Sequence, residues 1–160
     1  ALTQLSPDYL ARQLTHFVNG VRGADPKDQA GHRMALSVAL LAPSDIPALA
    51  AFISTDLPPS RPEATRKGDA ARGKDYYTHL CSACHGGNAL GNPILGAPAL
   101  AGASDWYLKS SYQSFLDGLR GQHADDVYGA QMARLAPALA DEDDLDDVIA
   151  HIMTLPPKRS

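Results

Sequence analysis

The chain has 160 residues, 44% hydrophobic and 20% charged, with 14 basic against 18 acidic side chains. That mix excludes a disordered or fibrous chain, and a formal charge of −4 argues against a nucleic-acid partner, which calls for a basic face. No apolar run approaches the roughly 20 residues that would span a membrane, and Ala1–Leu5 is neither basic nor long and apolar as a signal peptide would be.

Helix signals begin at once. Ser6-Pro7-Asp8 offers a capping hydroxyl, a proline at the first helical position and an acid at the positive helix end. Leu10, Leu14, Phe17, Val18 and Val21 then fall on one face, with Gly20 and Gly23 as the stop. Ser44–Ser54 carries Ile46, Leu49, Phe52 and Ile53 at helical spacing. Thr55–Lys67 holds three prolines and five charged residues, and cannot continue a helix or a central strand. A linker over 57–67 therefore divides a first unit, 1–56, from a second, 68–160.

In the second unit Asp69–Leu80 is predicted helical, with Ala70, Tyr76, Tyr77 and Leu80 apolar. Gly86–Gly102, rich in Gly, Pro and Asn, reads as an irregular, tightly packed loop. Ser104–Asp105 opens a further helix with Leu108, Tyr112, Phe115, Leu116 and Leu119 on one face, stopped near Gly118–Gly121. Asp141–Thr154 closes the chain as a helix whose acids 141–144 crowd its N-terminus; the acid run reads as a solvated helix start rather than a metal site. No period-two pattern indicates a strand, so the fold class is all-α.

The chain also repeats itself. At an offset of 98 positions Ser6–Ala42 overlays Ser104–Ala140 without a gap, matching Tyr9/Tyr107, Leu10/Leu108, Phe17/Phe115, Gly20/Gly118, Arg22/Arg120, Gly23/Gly121, Asp28/Asp126, Gly31/Gly129 and Met34/Met132. A duplication explains these identities. At the same offset Cys81, Cys84 and His85 would fall before residue 1, so the first repeat, as it stands, has no cysteine.

Cys81-Ser82-Ala83-Cys84-His85 is the C-x-x-C-H pattern of haem attachment. Two thiols about one helical turn apart add to the two vinyl groups of haem, and the next residue faces the iron. A thioredoxin-type pair would want a βαβ context, which is missing, and a zinc site would want four ligands.

Around this motif, residues 67–156 resemble the class I cytochromes c. A helix with Gly73 and Tyr76–Tyr77 leads into CSACHG, the GAPALAG loop comes next, a helix opens on Ser104-Asp105-Trp106-Tyr107-Leu108, then come Gly129-Ala130-Gln131-Met132 and an acid-capped closing helix. The resemblance implies that His85 is the proximal iron ligand and Met132, placed in a loop before the last helix, the distal one. It implies too that the Pro98 carbonyl orients His85. Met153 reads as core and Met34 as packing. His16, His32, His79, His123 and His151 read as surface or satisfied histidines, and Trp106 and Tyr107 as pocket or core packing. The ungapped repeat, with FVNGVRG and FLDGLRG, resembles the two-domain diheme branch of the family, with the first haem motif missing.

The motif and the resemblance together imply one covalent haem c, held by Cys81, Cys84 and His85 with Met132. It would serve a periplasmic one-electron carrier rather than an enzyme, free or as a subunit of a respiratory enzyme, its signal peptide removed. The expected partners are redox donors and acceptors, such as a dehydrogenase or terminal oxidase. A haem enzyme or gas sensor with an open distal site is the alternative, and a structural docking subunit the third reading. Two packing expectations complete the picture. Helix 69–80 should cross helix 141–154 at Gly73, with Tyr76 or Tyr77 in the crossing. Leu49, Phe52 and Ile53, lacking an opening helix, should be covered from outside residues 1–56, by the second unit, a second copy of the chain or a partner subunit; the alternative is that the chain is cut from a longer diheme protein and this face is partly exposed.

Overall fold

The computed structural model describes residues 2–55, 67–139 and 141–157. These form α1 (Pro7–Val18), α2 (Gln29–Val38), α3 (Ile46–Thr55), α4 (Ala70–Tyr76), α5 (Ser82–His85), α6 (Asp105–Leu116), α7 (Val127–Leu135) and α8 (Glu142–Thr154). Among the described residues there is no strand, only an isolated antiparallel bridge between Asn92 and Ala97. No single helix among them is long and apolar enough to cross a membrane. The linker expected at 57–67 lies, apart from Lys67, outside the described residues.

Local chemistry sets the helix starts. Ser6 Oγ accepts from Tyr9 N at 3.2 Å, with Pro7 in the first turn of α1. Asp69 Oδ1 accepts from Ala71 N and Arg72 N, and Asp141 Oδ1 from Asp143 N and Asp144 N. Ser104 makes no such cap on α6; Asp105 Oδ1 instead accepts from Trp106 N at 2.6 Å.

Two helices escape the sequence reading, α2 and α7. They are the same element in the two repeats. Asp28 Oδ1 accepts from Gly31 N at 2.8 Å and Asp126 Oδ1 from Gly129 N at 2.9 Å. A Cβ on Gly31 or Gly129 would overlap that capping carboxylate. The matched glycines are thus explained by the caps they admit. Gly23 and Gly121 sit at φ +79° and +75°, against the backbone of those same residues, Gly31 and Gly129.

The helix predicted over 69–80 changes character midway. α4 gives way to a π turn, Tyr77–Cys81, that runs into α5. Thr78 Oγ1 donates to Lys74 O at 2.7 Å and Ser82 Oγ to Thr78 O at 2.7 Å, while His79 Nδ1 lies 2.7 Å from Asp75 O. Side chains that bond the carbonyl four residues back loosen the regular ladder.

The larger core joins Tyr77, Leu108, Leu139, Leu145, Val148, Ile149 and Ile152. α4 crosses α8 where Gly73 lies against the Asp147 carbonyl, so close that a Cβ would overlap it, and Tyr77, 1% exposed, is packed into this core. Asp147 is buried as well, accepting from Asp69 N at 2.6 Å and from Arg72 Nε. Lys109 bridges Glu142 and Asp146 at 2.6 and 2.8 Å. The acid run is therefore partly an ion-pair network, not merely a solvated start.

A smaller core joins Leu14, Phe17, Val38 and Ile46, with Leu49 packed against it. Leu49 thus finds cover inside residues 1–56, from α1, contrary to expectation. Phe52 remains 50% exposed and Ile53 is partly buried. The Gly86–Gly102 loop is packed at Ala89 and Ala101, both 0% exposed, but open at its tip, where Ile94 is 89% exposed.

Candidate haem site

His85 ends the short helix α5 and is buried. Its Nδ1 lies 2.9 Å from Pro98 O. A carbonyl can only accept, so Nδ1 carries the proton and Nε2 keeps its lone pair. Burial lowers the pKa of His85, partly offset by the Pro98 bond, which keeps the ring neutral near pH 7. The backbone holds it further: Gly91 N donates to His85 O at 2.8 Å, and Tyr77 Oη donates to Gly86 O at 2.6 Å.

Cys81 ends the π turn and Cys84 sits one turn on, with no disulfide between them. Burial, with Cys84 beside it, pushes the Cys81 thiol up to about 11. Both thiols, His85, Pro98 and Met132 line a single apolar cavity of about 450 Å³. Leu80, Leu100, Leu108, Tyr112, Leu139 and Ile152 help to wall it. All five residues singled out in the sequence therefore meet in one place. Met132 comes from α7, a helix rather than the expected loop. Trp106 and Tyr107 also line the cavity, Trp106 at 60% exposure.

The other histidines divide. His32 is exposed and His123 stands 46% exposed beside Asp125, while His151 lies 5.4 Å from the Tyr77 ring. His16 departs from the sequence reading. It is 8% exposed, and its Nδ1 has no hydrogen-bond partner, the nearest carboxylate being Asp126 at 3.8 Å.

Sequence reasoning also misses that the first unit reaches the cavity. Leu2, Leu5, Tyr9, Arg12 and Gln13 line it with the second unit's residues. Arg12 Nη2 donates to Gly96 O at 2.7 Å, and its guanidinium lies 4.4 Å from the centre of the Tyr128 ring. A Cβ on Gly102 would come within 2.7 Å of Gln4 Cγ. The matched pairs Arg22/Arg120 and Tyr9/Tyr107 are the available signal, because a duplicated unit commonly packs on its copy.

The cytochrome c family model matches residues 70–156. Cytochrome c-554(547) of Halothiobacillus neapolitanus is 36% identical over 91 residues, 55% of this chain and 98% of the relative. The cbb3-type cytochrome c oxidase subunit FixP of Bradyrhizobium sp. (strain ORS 278) is 40% identical over 85 residues, 51% of this chain but only 27% of the subunit's length. Among solved structures, cytochrome c4 of Acidithiobacillus ferrooxidans superposes with a TM-score of 0.77 at 24% identity, covering 97% of this chain and 87% of that one. That likeness extends the shared fold to the first unit.

Proposed function

The chain belongs to the cytochrome c family, whose chemistry is electron transfer through covalent haem c, and on that premise we propose that it is a periplasmic one-electron carrier with a single haem in the cavity of residues 81–132. The division into a first unit over 1–56, a linker and a haem-binding unit over 68–160 belongs to the same proposal. The observation that carries it is the convergence of two cysteines, a buried histidine with Nε2 left basic, and a methionine on one apolar cavity of about 450 Å³. These residues suit the group. Cys81 and Cys84 would hold the group covalently, each adding its S–H across one vinyl C=C to form an S–C and a C–H bond, with no leaving group and no oxidant. His85 Nε2, its ring aimed by the Pro98 carbonyl, and Met132 are the residues that would hold the iron.

Bound there, haem supplies a one-electron Fe(III)/Fe(II) couple. The residues set its terms. The thioether of Met132 favours the ferrous state. The apolar wall excludes water and acts the same way. If His85 and Met132 both held the iron, no position would be left for a substrate, which is the reason to read a carrier, free or as a subunit of a respiratory enzyme, exchanging electrons with redox proteins such as a dehydrogenase or terminal oxidase.

The test is the purified holoprotein. Its denatured mass should include one haem after acid–organic extraction. Ferrous Met132→Ala should bind carbon monoxide readily, and the native protein poorly. Equal binding by the two would remove Met132 as ligand and favour the open-site reading of a haem enzyme or gas sensor.

A further inference from the structure

At the seam between the two units, among the described residues, positive charge gathers in excess of the negative charge facing it. Arg120 is 7% exposed, donates to Ser111 Oγ, and leaves its buried Nε without a partner. Arg12, from α1, leaves its buried Nε unpartnered too. Arg22 stands behind them, with Nη1 donating to Gln13 Oε1 at 2.7 Å and Nε again unpartnered. Arg120 reaches the same Gln13 oxygen at 3.5 Å. His16 is buried among them. The carboxylate that faces this group is Asp126, and its Oδ1 is committed to Gly129 N. A buried cation without an anion is costly. The electrostatics agree. Burial, reinforced by Arg120, lowers the pKa of Arg22. Burial would raise the Tyr107 hydroxyl, but Arg22 and Arg120 outweigh it and bring it down.

Arg12 and Arg120 both line the cavity that holds Cys81, Cys84 and His85. Haem carries two carboxylates. We propose that the first unit completes the haem site, Arg12 reaching across the seam to hold the haem carboxylates together with Arg120. The first unit thereby becomes part of its neighbour's cofactor site. This rests on the haem reading above.

Cations held against the carboxylates keep them ionised, and their own charge favours the ferrous state. In the holoprotein, Arg12→Gln should shift the ratio of reduced to oxidised protein at a fixed applied potential toward oxidised by about three- to tenfold. The apparent pKa of the haem carboxylates, read by infrared redox difference spectroscopy, should rise. Arg12→Lys should restore most of both. Arg33→Gln, the same charge change at an exposed position on α2, should move neither. A response to Arg12→Gln no larger than that to Arg33→Gln would overturn the proposal. So would Arg12→Lys behaving like Arg12→Gln, which would assign the effect to the Gly96 contact. A native potential that tracks added inorganic phosphate, with the response lost in Arg12→Gln, would assign the cations to a free anion and also overturn it. A native protein without covalent haem would instead sink the haem reading itself, so the two failures are distinct.

Discussion

Asp147 accepts from Asp69 N and from Arg72 Nε while itself 3% exposed. Burial would raise its carboxyl, but the Arg72 and Asp69 donors outweigh that and hold it below the usual range. A carboxyl lowered in the folded state adds stability above its unfolded value, near pH 4, and loses it as pH falls through the folded value. Asp147→Asn should therefore lower the urea midpoint at pH 7, and the gap to the native protein should close below about pH 4. Urea melts at several pH values would check this; a gap constant with pH would mean that charge plays no part. Single residues are also the scale at which the sequence speaks most clearly. Cys81, Cys84, His85, Pro98 and Met132 all reach the cavity; the motif fixes the type and spacing of the first three, and the family resemblance supplies Pro98 and Met132. His16 is the exception: it is buried, and its charged neighbours include Asp126 and Arg120 from the second unit, which no local pattern reveals.

Among the elements, α4 and α8 make the crossing on which the haem motif rests. Gly73 fits there because it has no Cβ, and any side chain meets the Asp147 carbonyl. Gly73→Ala should force the helices apart and cost about 1–3 kcal/mol, measured by chemical unfolding; a cost near zero would show that the crossing yields freely. This crossing is legible in the sequence, since a glycine with two tyrosines after it faces a strongly amphipathic closing helix. The helices α2 and α7 are not. They are ten and nine residues long, and α7 buries no residue fully while α2 buries only Gly31 and Val38. α2 carries an apolar period as marked as that of α8, but over ten residues between Gly- and Asp-rich flanks it is too short to stand out as a helix. Its true signature is the repeated Asp-x-x-Gly cap, which in the sequence reads as a mark of duplication rather than as a helix start. The π turn at Tyr77–Cys81 is equally hidden, because it depends on the side-chain bonds of Thr78 and Ser82 to preceding carbonyls.

Taken whole, the molecule is uneven in its packing. The second unit buries Tyr77, Leu145, Val148, Ile149 and Ile152 in one cluster, whereas the first gathers Leu14, Phe17, Val38 and Ile46. α2 leaves Leu36 64% exposed, and Leu40 just beyond it 100%. Amide hydrogen exchange should be fastest in α2 among the helices of eight residues or more, and slower in α8 by about tenfold or more. Uniform protection would contradict that ranking. The joining of the units across the seam bears on traffic as well. The side of the cavity walled by Leu2, Leu5 and Tyr9 is occupied by the chain itself, so no visiting protein can land there. The exposed apolar rim that remains includes Leu95, Trp106 and Tyr128, with Ile94 and Val127 beside it. On the proposed function, a donor and an acceptor must then use the same doorway in turn, each leaving before the next arrives, and a saturating amount of either partner becomes a competitive inhibitor of the other.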